Sequence, residues 1–125
     1  MMEAHEYAGI DHVQLAAPAG SEKEARAFHG ELLGMREIPK PAPLRARGGV
    51  WFACGPHEVH IGVQTDFAPA SKAHPAFQVK DIGKLIQALS EKGIVIREDV
   101  RLEGMLRFHC LDPFGNRLEF VQRLT

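Results

Sequence analysis

The 125-residue sequence predicts an α+β fold made of two tandem β-α-β-β-β modules. Three observations carry that expectation. An alternating apolar run, a helical stripe and three further alternating runs occur twice in the same order. Marks recur at matching places in the two halves: His12 with His74, Gly34 with Gly93, "WFAC" (51–54) with "RFHC" (107–110), and His60 with Glu119. Finally, each strand separates an apolar side from a polar one, because successive strand side chains point to opposite faces.

In the first module, about residues 9–65, "IDHVQLAA" alternates and reads as a strand. "SEKEARAFHGELLG" follows as a helix, with Ser21 and Glu24 as a capping box, Ala25, Phe28 and Leu32 on its apolar face, and Gly34 as the stop. After it come the strand "MREIP", a Pro- and Arg-rich loop "KPAPLRARGG", and the strands "VWFACG" and "EVHIGVQT". Residues 66–72 join the halves. The second module, about 73–122, repeats the order. "KAHPAFQV" is a strand, Asp81 caps a helix with the stripe Ile82, Leu85, Ile86 and Leu89, and Gly93 stops it. "IVIREDV", "MLRFHCL", the turn "DPFGN" and the strand "RLEFVQ" complete it. Mates drift in spacing only at loops, where insertions are tolerated, so duplication within one domain spanning 1–125 is the expectation.

The charge balance, 15 basic against 16 acidic residues spread along the chain, contains no basic stripe for nucleic acid or an anionic membrane. A small-molecule partner is expected instead. Cys54 and Cys110 have no metal-ligand or disulfide-scaffold spacing and read as buried thiols of a reducing compartment. "MMEAHEYAGID" lacks the basic-then-apolar pattern of a leader, so a cytoplasmic location is expected.

"HEVHIGVQ" places two histidines three apart, yet strand parity sends His57 and His60 to opposite faces. His60 therefore shares the polar side and His57 goes to solvent; His5 and His29 also read as surface residues. The apolar set, including Leu15, Phe52, Val59, Ile61, Phe77, Phe108, Cys110, Leu118 and Phe120, forms the core under the two helices. The polar set holds His12, Gln14, Trp51, His60, His74, Arg107, His109 and Glu119. Imidazole at three repeat-related strand positions and carboxylate at the fourth is a ligand set for a divalent ion: zinc or nickel, with iron or manganese as alternatives. His12, His60, His74 and Glu119 are the expected metal residues. Gln14, Trp51 and Arg107 share the face as substrate contacts, with Phe67 of the joining stretch closing over it, and His109 is placed for proton transfer.

The opening "IDHVQLA", the helix end "FHGELLGM", "KAHPAFQV" and above all "DPFGNRLEF" resemble the vicinal oxygen chelate superfamily. That group includes glyoxalase I, bleomycin-resistance proteins, fosfomycin-resistance enzymes, methylmalonyl-CoA epimerases and extradiol dioxygenases. The resemblance implies that the modules form an open, eight-stranded, cup-like barrel with helices outside. It also implies a metal on the concave face at the four positions named above. It further implies a homodimer, chelation of a small oxygen-rich metabolite, and Glu119 as catalytic base in isomerase, epimerase or lyase chemistry. Glyoxalase I has a carboxylate where this chain has His60, so two alternatives stand beside that reading: a non-catalytic small-molecule or toxin-sequestering protein, and an iron-dependent ring-cleaving dioxygenase.

Overall fold

Seven strands form two sheets, one from each half of the chain, in a computed structural model that describes residues 4–124. Residues 1–3, where the reading of the N-terminus begins, and Thr125 lie outside the described residues. The first half runs β1 (His12–Ala17), α1 (Glu22–Ala25) continuing into a π-helical segment Arg26–Leu32, β2 (Glu37–Ile38), a 3-10 helix Ala42–Arg47, β3 (Val50–Cys54) and β4 (His57–Val63). The second runs β5 (Ala76–Gln78), α2 (Ile82–Glu91), β6 (Met105–Leu111) and β7 (Arg117–Arg123).

The sheet orders are β1-β4-β3-β2 and β5-β7-β6. In each half the first and last strands are parallel neighbours and the preceding strand pairs antiparallel with the last. This is the α+β arrangement of paired modules, and among the described residues neither sheet closes into a barrel. The expected eighth strand, "IVIREDV", is reduced to one bridge between Arg97 and His109. Ile94 and Ile96 turn inward, but Arg97, Glu98 and Asp99 then break the alternation and leave no apolar side to bury. Pro39 and Pro41 shorten β2 in the same way, by removing donors from the ladder.

Burial follows the alternation. Phe52, Val59 and Ile61 in one half and Phe108, Cys110, Leu118 and Phe120 in the other are almost fully enclosed, each apolar side chain contributing about 1.5–3 kcal/mol. Helix α2 ends in a Schellman turn, with Gly93 N–H on Ser90 O and Ile94 N–H on Leu89 O, and Gly93 at φ +77°. At its start the Asp81 side chain accepts from the Lys84 N–H. The first helix departs from its predicted cap: Ser21 makes no side-chain bond there, and the Glu22 carboxylate instead accepts from Gly49 N–H at 2.8 Å. Gly49 has no substitute, since a Cβ would lie 2.1 Å from Ile61 O.

His29 corrects the sequence reading. It is fully buried rather than on the surface, because it occupies the i+4 position from Ala25 on the same face as Phe28. Its ring sits beside Phe28 and Phe52, and its Nε2 lies 4.0 Å from Asp112 Oδ2. Asp112 and Asn116 of the "DPFGN" turn join the halves. Asp112 Oδ1 accepts from the Phe114 and Asn116 N–H groups, its Oδ2 from Asn116 Nδ2, and that same amide reaches Ala16 O at 2.8 Å.

Candidate metal centre

Pairing of β1 with β4 in register, Gln14 opposite His60, puts His12, Gln14, Glu58, His60 and Gly62 on one face. Trp51 of β3 joins them opposite His60. The His60 ring lies between two others, stacked on Trp51 at 3.7 Å and 2° between planes and on His12 at 4.0 Å and 19°. His60 is buried, with Nε2 at 2.8 Å from Glu58 Oε1; His12 is partly exposed, with Nδ1 at 2.9 Å from Asp11 Oδ2. Each imidazole thus has one nitrogen oriented by a carboxylate and the other uncommitted, the arrangement that suits a metal-ligating histidine. Gln14 lies across Gly62, whose missing side chain makes room for the amide: a Cβ there would be 2.4 Å from Gln14 Nε2. His57 faces away and is exposed.

The second half carries charge instead of stacked rings. Glu119 on β7 sits opposite His109 on β6 and Ala76 on β5, two residues past His74. Its Oε1 is 2.9 Å from His74 Nε2 and 3.4 Å from His109 Nε2, while Oε2 accepts from Arg107 at 3.2 Å. Burial alone would raise the Glu119 carboxyl, but hydrogen bonds from His74 and Arg107 outweigh it and hold the group below the ordinary carboxylate range. Burial, followed by the nearby Arg117 charge, pushes His109 down, which favours its neutral form.

The fit to a metal is tested by His74. Both ring nitrogens face acceptors, Nδ1 the Lys72 carbonyl at 2.8 Å and Nε2 the Glu119 carboxylate at 2.9 Å, so the Nε2 contact needs positive charge between the two atoms. A ring proton supplies it as the hydrogen bond to Glu119, and a metal ion held by both groups supplies it in the proton's place. Donor atoms of His74, His109 and Glu119 all lie within 4.8 Å of one another, and among the described residues this is the group of three or more that could hold an ion. The structure therefore brings together three donors, one of them His109, and keeps His12 and His60 as a separate stacked pair within the chain. Arg107 is committed inside the protein, to Glu119, Asp99 and Val100 O. A cavity of about 860 Å³ between β1 and β5 is lined by Gln14, Glu58, His74, Gln78 and Arg117 among others. Phe67 is half-buried in the joining stretch and does not line it. Sequence reasoning missed Glu58 and Arg117, although both share parity with a chosen residue, His60 and Glu119 respectively; it missed Asp11 and Asp99, which lie outside any strand.

The model of the Glyoxalase/Bleomycin resistance protein/Dioxygenase superfamily matches residues 9–120. Among solved structures, a glyoxalase family protein from Bacillus anthracis is 52% identical, with a TM-score of 0.93, covering 97% of this chain and 99% of that one. Lactoylglutathione lyase from Agrobacterium tumefaciens shares the fold at 19% identity and a TM-score of 0.73, over 94% and 96% of the two chains. The fosfomycin resistance protein FosX from Listeria monocytogenes does so at 15% and 0.74, over 94% of each. None of the curated proteins matches.

Proposed function

The chain belongs to the glyoxalase/bleomycin resistance protein/dioxygenase superfamily, and on that premise we propose that it is a divalent-metal-dependent enzyme acting on a small oxygen-rich metabolite by proton transfer. The observation that carries this reading is the convergence of His74 Nε2 and Glu119 Oε1, 2.9 Å apart, with a third donor in His109. His74 and Glu119 would hold zinc or nickel together with His12 and His60. When bound, the ion supplies positive charge against an oxygen that becomes anionic as a neighbouring proton leaves.

The chain's own residues do the rest. Arg107 fixes Oε2 of Glu119, so Oε1, which faces His74 and His109, is the oxygen that would leave those contacts to accept a substrate proton, and Glu119 is ionised to do so. His109, neutral and 3.4 Å from that oxygen, is the group to relay the proton. Trp51 presents a flat wall and Gln14 an amide to the substrate, and Phe67, which stands outside the cavity between β1 and β5, would add an apolar edge only with the joining stretch closed over the site. Because the two halves of the ligand set stand apart within one chain, the reading extends to a homodimer in which each site draws His12 and His60 from one subunit and His74 and Glu119 from the other. We place the protein in the cytoplasm; no described helix is long and apolar enough to cross a membrane. The single domain 1–125, with modules at about 9–65 and 73–122, is part of the same reading.

One observation favours a second reading. Two imidazoles and one carboxylate, the set formed by His74, His109 and Glu119, are also the donors of iron in oxygen-activating enzymes. Elemental analysis of protein purified without chelator, followed by turnover of hemithioacetals and oxygen uptake with catechols, separates the two. Stoichiometric zinc or nickel with oxygen-independent turnover supports the first reading. Iron with oxygen uptake supports the second. No stoichiometric metal, even after reconstitution, removes both and leaves sequestration of a small molecule.

A further inference from the structure

We propose that Arg117 and Arg97 form an anion-binding subsite beside His109, taking a carboxylate or phosphate group of the molecule bound at the metal centre. That the anion belongs to a substrate rests on the enzymatic reading above; that the pocket binds an anion does not. Arg117 stands two residues before Glu119 on β7 and so shares its face. It is half-buried, and one N–H meets His109 Nε2 at 3.2 Å. Among the described residues no carboxylate lies within ion-pair distance of it, whereas Arg26 ends on Glu37 and Arg107 on Glu119 and Asp99. A guanidinium half withdrawn from water and bonded to a single imidazole nitrogen leaves most of its fork unused, and a carboxylate or phosphate is the partner that fork fits.

Arg97 faces the same space from the other side. Its backbone is clamped to His109 by two hydrogen bonds of 2.8 Å, which sets its side chain at the mouth of a cavity of about 420 Å³. Arg117, His109 and Ser71 line that cavity, as do two acids, Glu98 and Asp99. Asp99 is already engaged by Arg107 and by the Val100 N–H. Glu98 is the remaining negative charge against two guanidinium groups, so the field at the pocket favours an anion. Arg117 and Glu119 both meet His109 Nε2, at 3.2 and 3.4 Å, so an anion captured by Arg117 sits within one imidazole nitrogen of the proton-transfer oxygen.

The test is a titration of the full-length protein, as purified and with its metal content measured, with inorganic phosphate and separately with succinate, followed through the arginine side-chain N–H resonances. Saturable shifts of Arg117, with binding weakened about tenfold or more in R117Q and severalfold in R97Q, are expected, while K84Q on α2 binds as the wild type. Stronger binding of one probe identifies the anion class. Arg97 is exposed, so R97Q tests the pocket even if R117Q disturbs the sheet. Absence of saturable binding at tens of millimolar of either probe, or unchanged binding in both arginine variants, overturns the subsite. Metal content is read independently: a metal-free protein that binds anions leaves the subsite standing and removes the metal reading, and a metal-loaded protein that ignores them does the reverse.

Discussion

The two polar faces occupy equivalent places in the repeat and are built from different physics. In the first half His12, His60 and Trp51 form a column of stacked rings, with Asp11 and Glu58 at its margins. In the second half Glu119 sits at the centre of a hydrogen-bonded charge network of His74, His109, Arg107 and, one step out, Arg117. A duplication that preserves strand register preserves where side chains meet, but not what they are, and here one half offers imidazoles to the expected ligand set while the other adds its carboxylate. Coulombic effects are largest where the group is ionised and partly withdrawn from water, so the second face should dominate affinity and chemistry.

Glu119→Gln should therefore have the largest effect. It removes the only carboxylate of the four expected ligands and leaves Arg107 facing a neutral amide, so metal affinity should fall by about 100-fold and turnover with it. His60→Gln, at the repeat-equivalent position, should cost about tenfold, since it removes an imidazole that the stack with Trp51 and His12 holds in place. Metal-binding isotherms of the two variants check the comparison. Equal losses would mean that the halves contribute alike and that the charge argument is wrong.

A smaller effect separates the halves mechanically. Asn116→Ala deletes the amide that ties Ala16 O to Asp112 and leaves a buried carboxylate short of a donor, at a cost of about 1–3 kcal/mol. Chemical denaturation should then show the loss and, because the clasp spans the two halves, a broader transition than a core variant of equal cost gives.

His29 yields a prediction in pH. Burial pushes it down to about 4 from an ordinary 6.5, so between those values the unfolded chain binds a proton that the folded chain does not. Stability should fall as pH is lowered through that window, by up to about 1.4 kcal/mol per unit from this group. Asp112 beside it is shifted up, by burial first, and acts in the opposite sense, losing stability as pH rises through its folded value. In His29→Phe the acid-side slope should flatten in denaturation midpoints measured from pH 6.5 to 4. An unchanged slope would show that His29 is not the titrating group.

How much of this was legible beforehand follows from the same distinction between position and chemistry. Period-two alternation located every strand that has an apolar side to bury, and it assigned His57 outward and His60 inward. It failed where the pattern ended in charges, as at Arg97 to Asp99, which form one bridge instead of a strand. Helical spacing put His29 on the buried face, but its residue type was read as a surface signal. The four ligand types were visible as repeat mates, whereas the separation of His12 and His60 from His74 and Glu119 within one chain was not, because parity fixes a face and says nothing about how two sheets stand to each other. Arg107 looked like a substrate contact because parity shows the face and hides the partner; three protein groups already use its fork.

The smallest expected effect tests the quieter face. Gly62→Ala places a methyl where Gln14 Nε2 now lies, at 2.4 Å, and something must move. The obstacle is the end of a flexible side chain, so Gln14 should swing away and stability should change by no more than about 0.5 kcal/mol. Metal content should hold as well, since neither residue offers an expected ligand. What should change is the grip on whatever occupies the cavity between β1 and β5, because the amide that Gly62 accommodates is one of its polar lining groups. With a substrate in hand, a rise in KM at constant kcat in Gly62→Ala would assign Gln14 to ground-state binding. A matching fall in kcat would instead join the stacked face to the chemistry and narrow the difference between the two halves.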